Sequence, residues 1–404
     1  MTKGMKTILL CLSFAVATQL LAGQVNYETV LRAVSLSERG EADEAADLLA
    51  SAGDQTNSAD FLIIRGDIFI KASRIREAKR DFMAAENMRP GSGMYGLARC
   101  AAAEGDARAA AAYLEAHLKS PYRKNEPEIL LDKTFRQVLS STEWKALWKK
   151  EWYKGYERKS WEIEHYLRIG RTDLAEENWR ELSAVYPDMP VTDYCNARII
   201  MTKGRYRDAA EILARLTAGR DTPAPWLYAL AEAREGEGNW YAAATVYTRL
   251  MDSGFPDPQL LLQRSRLLIK AGDREAAKRD LLKYISIDPE NTRALGLIGK
   301  TYAEEGAIYE ALPYLNSNVE KHPGEPSAFR LRGDAWMAAR SWEMAVEDYT
   351  MTLDLDPDDA AANLNLGIAL INCGRAGDAC HYLRKANKMG EKSASGYLSR
   401  YCIK

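Results

Sequence analysis

Four histidines and six cysteines in 404 residues are a thin stock of nucleophiles and metal ligands. His117, His165, His322 and His381 are scattered, and Cys380-His381 is the one adjacent Cys/His pair, with no second pair at zinc-finger spacing. No C-x-x-C, G-x-S-x-G, H-E-x-x-H or phosphate-cradling glycine loop occurs. Paired carboxylates such as Glu176-Glu177 and Glu304-Glu305 read as solvated helix faces. Catalytic, cofactor-binding and metal-ligating residues are therefore expected to be absent. Charge is balanced, 55 basic against 57 acidic residues for a net charge of −2, so no electrostatic footprint for nucleic acid exists.

The first residues read as an address. Lys3 and Lys6 precede an uncharged apolar run from Ile8 to Ala22, too short to span a bilayer comfortably. Residues 1–23 are expected to be a signal peptide cleaved near Gly23, although Ala15-Val16-Ala17 also matches a cleavage site. Cys11 follows Leu9-Leu10 rather than small residues, which makes a poor lipidation site. A periplasmic or secreted, envelope-associated location follows. The alternative is an uncleaved anchor, so membrane contact is expected only indirectly or through that N-terminus.

Removal of Cys11 leaves five cysteines, so at least one thiol stays free in a monomer. Cys373, Cys380 and Cys402 fall in the last 32 residues. In an oxidising compartment a disulfide among them would staple the end of the chain. The other reading is that all are small buried hydrophobes.

The elements that carry these groups are legible from a repeat. Gly170, Gly204, Gly238, Gly272, Gly306 and Gly374 lie on one 34-residue grid, and Arg340 holds the grid point without glycine. Five residues beyond each grid point stands an alanine, from Ala175 to Ala379. Pro187, Pro289, Pro323 and Pro357 follow four of these alanines by twelve residues. Looser units precede, marked by Gly40 with Ala45, Ser73 with Ala78, and Gly105 with Ala110. Each unit reads as two helices of about a dozen residues joined at a left-handed turn. Neither helix can bury its apolar face alone, which is why such units come in stacked arrays.

This pattern resembles the tetratricopeptide repeat family. Phe329, Gly333, Trp336, Ala345, Tyr349 and Pro357 occupy its positions 4, 8, 11, 20, 24 and 32 in one unit, and Leu295, Gly299, Tyr302, Ala311, Leu315 and Pro323 do so in the unit before. The resemblance implies an all-α, right-handed α-solenoid of about ten hairpins with a C-terminal capping helix. The expected organisation is a looser block at 24–124, a degenerate repeat or hinge at 125–155, seven regular units at 156–393 and a cap at 394–404. The cap would pack through Tyr397, Leu398 and Tyr401.

Trp144, Trp148 and Trp152 stand four apart with Lys145, Lys149, Lys150 and Lys154 among them. On one helix they form a continuous aromatic stripe. It is either buried against the solenoid or offered to a partner, a membrane surface or a glycan.

In this family first helices line a concave groove where partners lie. That places Tyr194, Tyr228 and Leu262 at position 5, Met201 and Ile269 at position 12, and Arg198, Glu232, Arg266 and Lys300 at position 9, with Arg330 beside them. Position 9 alternates in sign from Glu164 to Asp334, so neighbouring rungs could pair as a charge ladder. The groove either binds a protein or peptide of unknown identity or is filled by its own side chains. The Lys-x-x-x-Asn clamp by which some relatives hold carboxylate tails is absent. Arg65-Gly66-Asp67 and Arg332-Gly333-Asp334 spell an integrin tripeptide, but their glycines sit at packing positions on a helix. The expected role is a non-catalytic interaction scaffold of a bacterial envelope; the alternative is a glycan- or ligand-binding repeat protein. The sequence leaves oligomeric state open.

Overall fold

A computed structural model describes residues 27–51, 58–219, 222–254 and 256–402. The apolar run from Ile8 to Ala22, Cys11 and the cleavage point near Gly23 lie outside them. The described residues form helices and no strand, and ten helical hairpins follow one another among them. They belong to two compact units divided between Leu260 and Leu261, inside the helix Gln259–Ala271.

The hairpin Pro326–Ala338 and Trp342–Leu355 shows how local sequence builds the unit. Pro326 opens the first helix, where its missing N–H costs nothing. At the other end Arg340 donates its N–H to Met337 and Ser341 donates to Trp336, at 3.1 and 2.9 Å. This paired closure needs a left-handed residue between the helices. Arg340 supplies it at φ +59°, as Ser73 does at +59°; Gly170, Gly204, Gly238, Gly272, Gly306 and Gly374 supply it at +74° to +85°.

Packing inside the hairpin is set by size. The alanine of the second helix is completely buried in all ten hairpins, from Ala45 and Ala78 to Ala345 and Ala379. Opposite, Gly66 faces Phe82, Gly299 faces Leu315, Gly333 faces Tyr349 and Gly367 faces Leu383. A methyl group on Gly66 would stand 2.7 Å from the Phe82 ring, and one on Gly299 would stand 2.5 Å from Leu315. The large residue thus occupies the volume the glycine leaves.

The sequence did not announce a charged clamp in the same place. Arg65 closes on Asp81, Arg264 on Asp280 and Arg332 on Asp348, each through two hydrogen bonds of 2.6 to 2.9 Å. The three pairs span the same sixteen residues. Bidentate geometry satisfies both charges at once, which burial demands.

Two expectations are corrected. The tryptophan stripe does not form, because the helix Thr142–Leu147 ends at Trp148 and Trp152 stands in non-helical chain. The Trp152 indole donates to the Leu147 carbonyl at 2.9 Å, and the same carbonyl accepts the Lys150 N–H at 3.2 Å in the turn that follows the helix. At the C-terminus, the helix Ala394–Tyr401 packs through Tyr397, Leu398 and Cys402, while Tyr401 stays exposed. Cys402 is disulfide-bonded to Cys380, and Cys373 is free.

Candidate interaction surface

The first helices are knitted to each other by polar side chains one repeat apart. Arg198 donates from Nε to Glu164 at 3.2 Å and from Nη1 to Glu232 at 2.7 Å, and each pair spans 34 residues. Position 9 therefore lies beside position 9, and the charge ladder exists over three rungs of the first unit. Glu232 keeps 61% of its side chain exposed. Beside it Tyr194 stacks on Trp226, with ring centroids 5.4 Å apart, and its hydroxyl bonds to Glu164. Burial, reinforced by that carboxylate, pushes the phenol well above its ordinary range.

In the second unit Arg330 bonds to Asp359 at 3.0 Å. Asp334 accepts from the Tyr349 hydroxyl at 2.6 Å and from Asn365 at 3.2 Å. Burial raises the Asp334 carboxyl above its usual range, against the pull of these donors. Lys300 is exposed, with Glu304 at 3.8 Å, and Arg266 is half-buried and bonds to Gln263 at 2.7 Å.

The looser N-terminal hairpins carry a comparable network that sequence reasoning missed. Arg99 pairs with Asp67 and, at 3.1 Å, with Asp132. The Tyr95 hydroxyl donates to Asp132 at 2.8 Å, and the Lys124 ammonium lies 5.3 Å from the Tyr95 ring centre. Burial raises Asp67, with Arg99 opposing it. Burial pushes Asp132 up too, but bonds from Thr134 and the Arg99 charge outweigh it and leave the carboxyl below its ordinary range. Asp67 is position 9 counted from Ala59, so extending the register into the looser units would have found it.

Two family models, each described as tetratricopeptide repeat, match residues 258–291 and 65–124. They fall in separate parts of the chain, on hairpins of the same build. The chain carries tetratricopeptide repeats. It is 24% identical over 132 residues to mouse Tetratricopeptide repeat protein 16, covering 30% of this chain and 17% of that protein. It is 23% identical over 202 residues to BBSome complex member bbs-4 of Caenorhabditis elegans, covering 48% and 44%. The chain thus spans less than half the length of either relative. A solved tetratricopeptide repeat protein from Parabacteroides merdae aligns at 17% identity and TM-score 0.49, over 61% of this chain and 99% of that one.

This repeat protein buries several residues expected to line the groove. Tyr194, Met201 and Leu262 are 7%, 4% and 2% exposed. Neighbouring helices approach closely enough that side chains at positions 5 and 12 fill the space between them, so these three are packing residues. Tyr228 is half-buried and donates to Asp257 at 3.2 Å, and Ile269 is half-buried. Arg198, Glu232, Arg266, Lys300 and Arg330 remain within reach of solvent. Trp144 is buried; Trp148 and Trp152 pack partly against the same core as Phe135.

Two of the three free thiols among the described residues are silenced by burial. Burial pushes the Cys100 and Cys195 thiols up to about 11 and about 12, so both stay protonated. Among the described residues no group of three or more His, Cys, Asp or Glu side chains is placed to hold a metal ion. No described helix is long and apolar enough to cross a membrane. What the row offers is ordered charge and hydrogen bonding, the chemistry of recognition.

Proposed function

We propose that this chain is a non-catalytic scaffold of a bacterial cell envelope that holds a protein or peptide partner along its first helices. One observation carries the reading. Arg198 is fixed between Glu164 and Glu232, so the row's charges are ordered before any partner arrives. Preorganisation lowers the side-chain entropy that association must cost. Exposed charges on first helices, Glu232 in one unit and Lys300 in the other, are each open to a partner. The envelope assignment is supported by the signal-like first 23 residues and by the Cys380–Cys402 disulfide, which suits an oxidising compartment. The glycan reading loses its support, because the tryptophans that would stack on sugars pack against protein.

The test is affinity capture from envelope extracts with the wild type, with Glu232→Lys and with Lys300→Glu/Arg330→Glu, alongside glycan-array binding. Loss of a captured protein in either variant, at unchanged thermal stability, is expected. Capture indifferent to both variants, or binding to glycans alone, would refute the reading.

A further inference from the structure

The stretch that breaks the repeat has two sides of opposite character. The helix Glu126–Leu131, the 3₁₀ helix Lys133–Gln137 and the helix Thr142–Leu147 each send side chains into one core. The inner side, Ile129, Phe135, Val138, Trp144 and Leu147, is buried in this core, shared with Ala98, Ala101, Ala110, Leu114 and Leu118 of the hairpin beneath. Residues alternating with those anchors must point away from the hairpin. They are Leu131, 75% exposed, with Leu130 at 46% and Leu139 at 41%, and the exposed cations Lys133, Arg136, Lys145 and Lys149.

These cations differ from their neighbours. Lys124 pairs with Glu128, Lys150 with Glu115 and Arg158 with Glu126, whereas no carboxylate pairs with Lys133, Arg136, Lys145 or Lys149 among the described residues. Glu143 is the single acidic residue between 133 and 149, and Asp132 just before them turns inward to Arg99 and Tyr95. Residues 133–149 thus carry four unpaired cations against one carboxylate, with Leu139 among them and Leu130 and Leu131 just before; the two carboxylates on the helix of Leu130 and Leu131, Glu126 and Glu128, are paired with Arg158 and Lys124.

We propose that this outer face docks on an anionic lipid surface. The leucines would enter the headgroup boundary and the four cations would meet lipid phosphates. Exposed apolar side chains in one short stretch with unpaired lysine and arginine fit that interface on both counts. The first-helix row plays no part in this contact, so the two surfaces can be separated by mutation.

The experiment is co-sedimentation of the full chain with vesicles of phosphatidylglycerol in excess phosphatidylcholine, and with phosphatidylcholine alone. The wild type is expected to bind the anionic vesicles, to be released by high salt, and to ignore the neutral ones. Lys133→Glu/Arg136→Glu/Lys145→Glu/Lys149→Glu should bind at least roughly 600-fold more weakly, at about five-fold per cation. Leu131→Ser/Leu139→Ser should also bind more weakly, and both variants should keep the wild-type circular dichroism. No binding by the folded wild type would overturn the proposal. Binding equal in wild type and both variants would overturn it too, since the apolar run from Ile8 to Ala22 would then carry the contact.

Discussion

Arg65 and Asp81 close on each other inside one hairpin, Nε to Oδ2 at 2.7 Å and Nη2 to Oδ1 at 2.9 Å, with about a tenth of each side chain exposed. The guanidinium also lies 5.1 Å from the Phe61 ring centre. Removing the arginine strands the Asp81 carboxylate in the core. Arg65→Met should therefore destabilise by about 3–5 kcal/mol, while Arg65→Met/Asp81→Leu should fall within about 1 kcal/mol of the wild type. Urea unfolding of the three proteins measures both numbers. Equal losses in the single and double variants would show that the pair is not coupled.

Arg340 holds a left-handed turn that glycine holds in the other regular hairpins. A side chain there costs about 1–2 kcal/mol. Part of the gain from glycine returns to the unfolded chain as entropy. Arg340→Gly should raise stability by about 1 kcal/mol, and Gly306→Ala should lower it by about as much. Nothing lies within 4 Å of a methyl placed on Gly306, so its cost would be conformational alone. Thermal melts decide the matter; a melting point lowered by Arg340→Gly would mean that the arginine contributes a contact worth more than the strain.

His117 accepts the Lys124 N–H on Nε2 at 2.9 Å, and its Nδ1 is buried without a partner. Burial, with the Lys124 charge adding to it, lowers its pKa from 6.5 to about 4. The unfolded chain then takes up the proton first. The contribution is fully present above pH 6.5, falls as pH drops towards about 4, and is flat below that. The whole loss is about 3 kcal/mol. His117→Gln should flatten stability across this window by a similar amount. Parallel pH profiles for wild type and variant would show that the ring is protonated in the fold.

Cys380 and Cys402 tie the last helix to the last hairpin across 22 residues. A loop of that size is worth about 3 kcal/mol in chain entropy. Cys380→Ala/Cys402→Ala should lose about that much, with faster amide exchange concentrated in Ala376–Tyr401. Peptide mapping under oxidising conditions should recover the Cys380–Cys402 pair and leave Cys373 free. An unchanged exchange pattern in the variant would mean that apolar packing of Tyr397 and Leu398 suffices.

The repeat was legible because its marks are local. A left-handed turn selects Gly204 or Gly272, and contact between two helices selects Ala209 or Ala277, whatever lies further along the chain. Position 9 was legible for the same reason, since a strict period sets Arg198 beside Glu164 and Glu232. Exposure was not legible. Register tells which way Tyr194, Met201 and Leu262 point, but the distance to the next helix decides whether water reaches them. The arginine–aspartate clamp escaped notice because only three of the ten hairpins use it. Asp67 and Arg99 escaped because the early hairpins run at spacings of 33 and 32 residues from Gly40 to Ser73 to Gly105, which blurs the register. The tryptophan stripe failed because its helix stops at Leu147, whose carbonyl closes a tight turn with the Lys150 N–H and the Trp152 indole.

The central claim is that the first helices, and not the second, receive the partner. A photoreactive phenylalanine analogue placed in vivo at Glu232 or Lys300 samples exposed first-helix positions. The same group at Val185 or Tyr309, 67% and 89% exposed on second helices, samples the other side of the hairpin. Illumination followed by mass spectrometry should give a protein adduct from Glu232, from Lys300 or from both, and none from Val185 or Tyr309. Adducts from the second-helix positions alone, or from none of the four, would contradict the account.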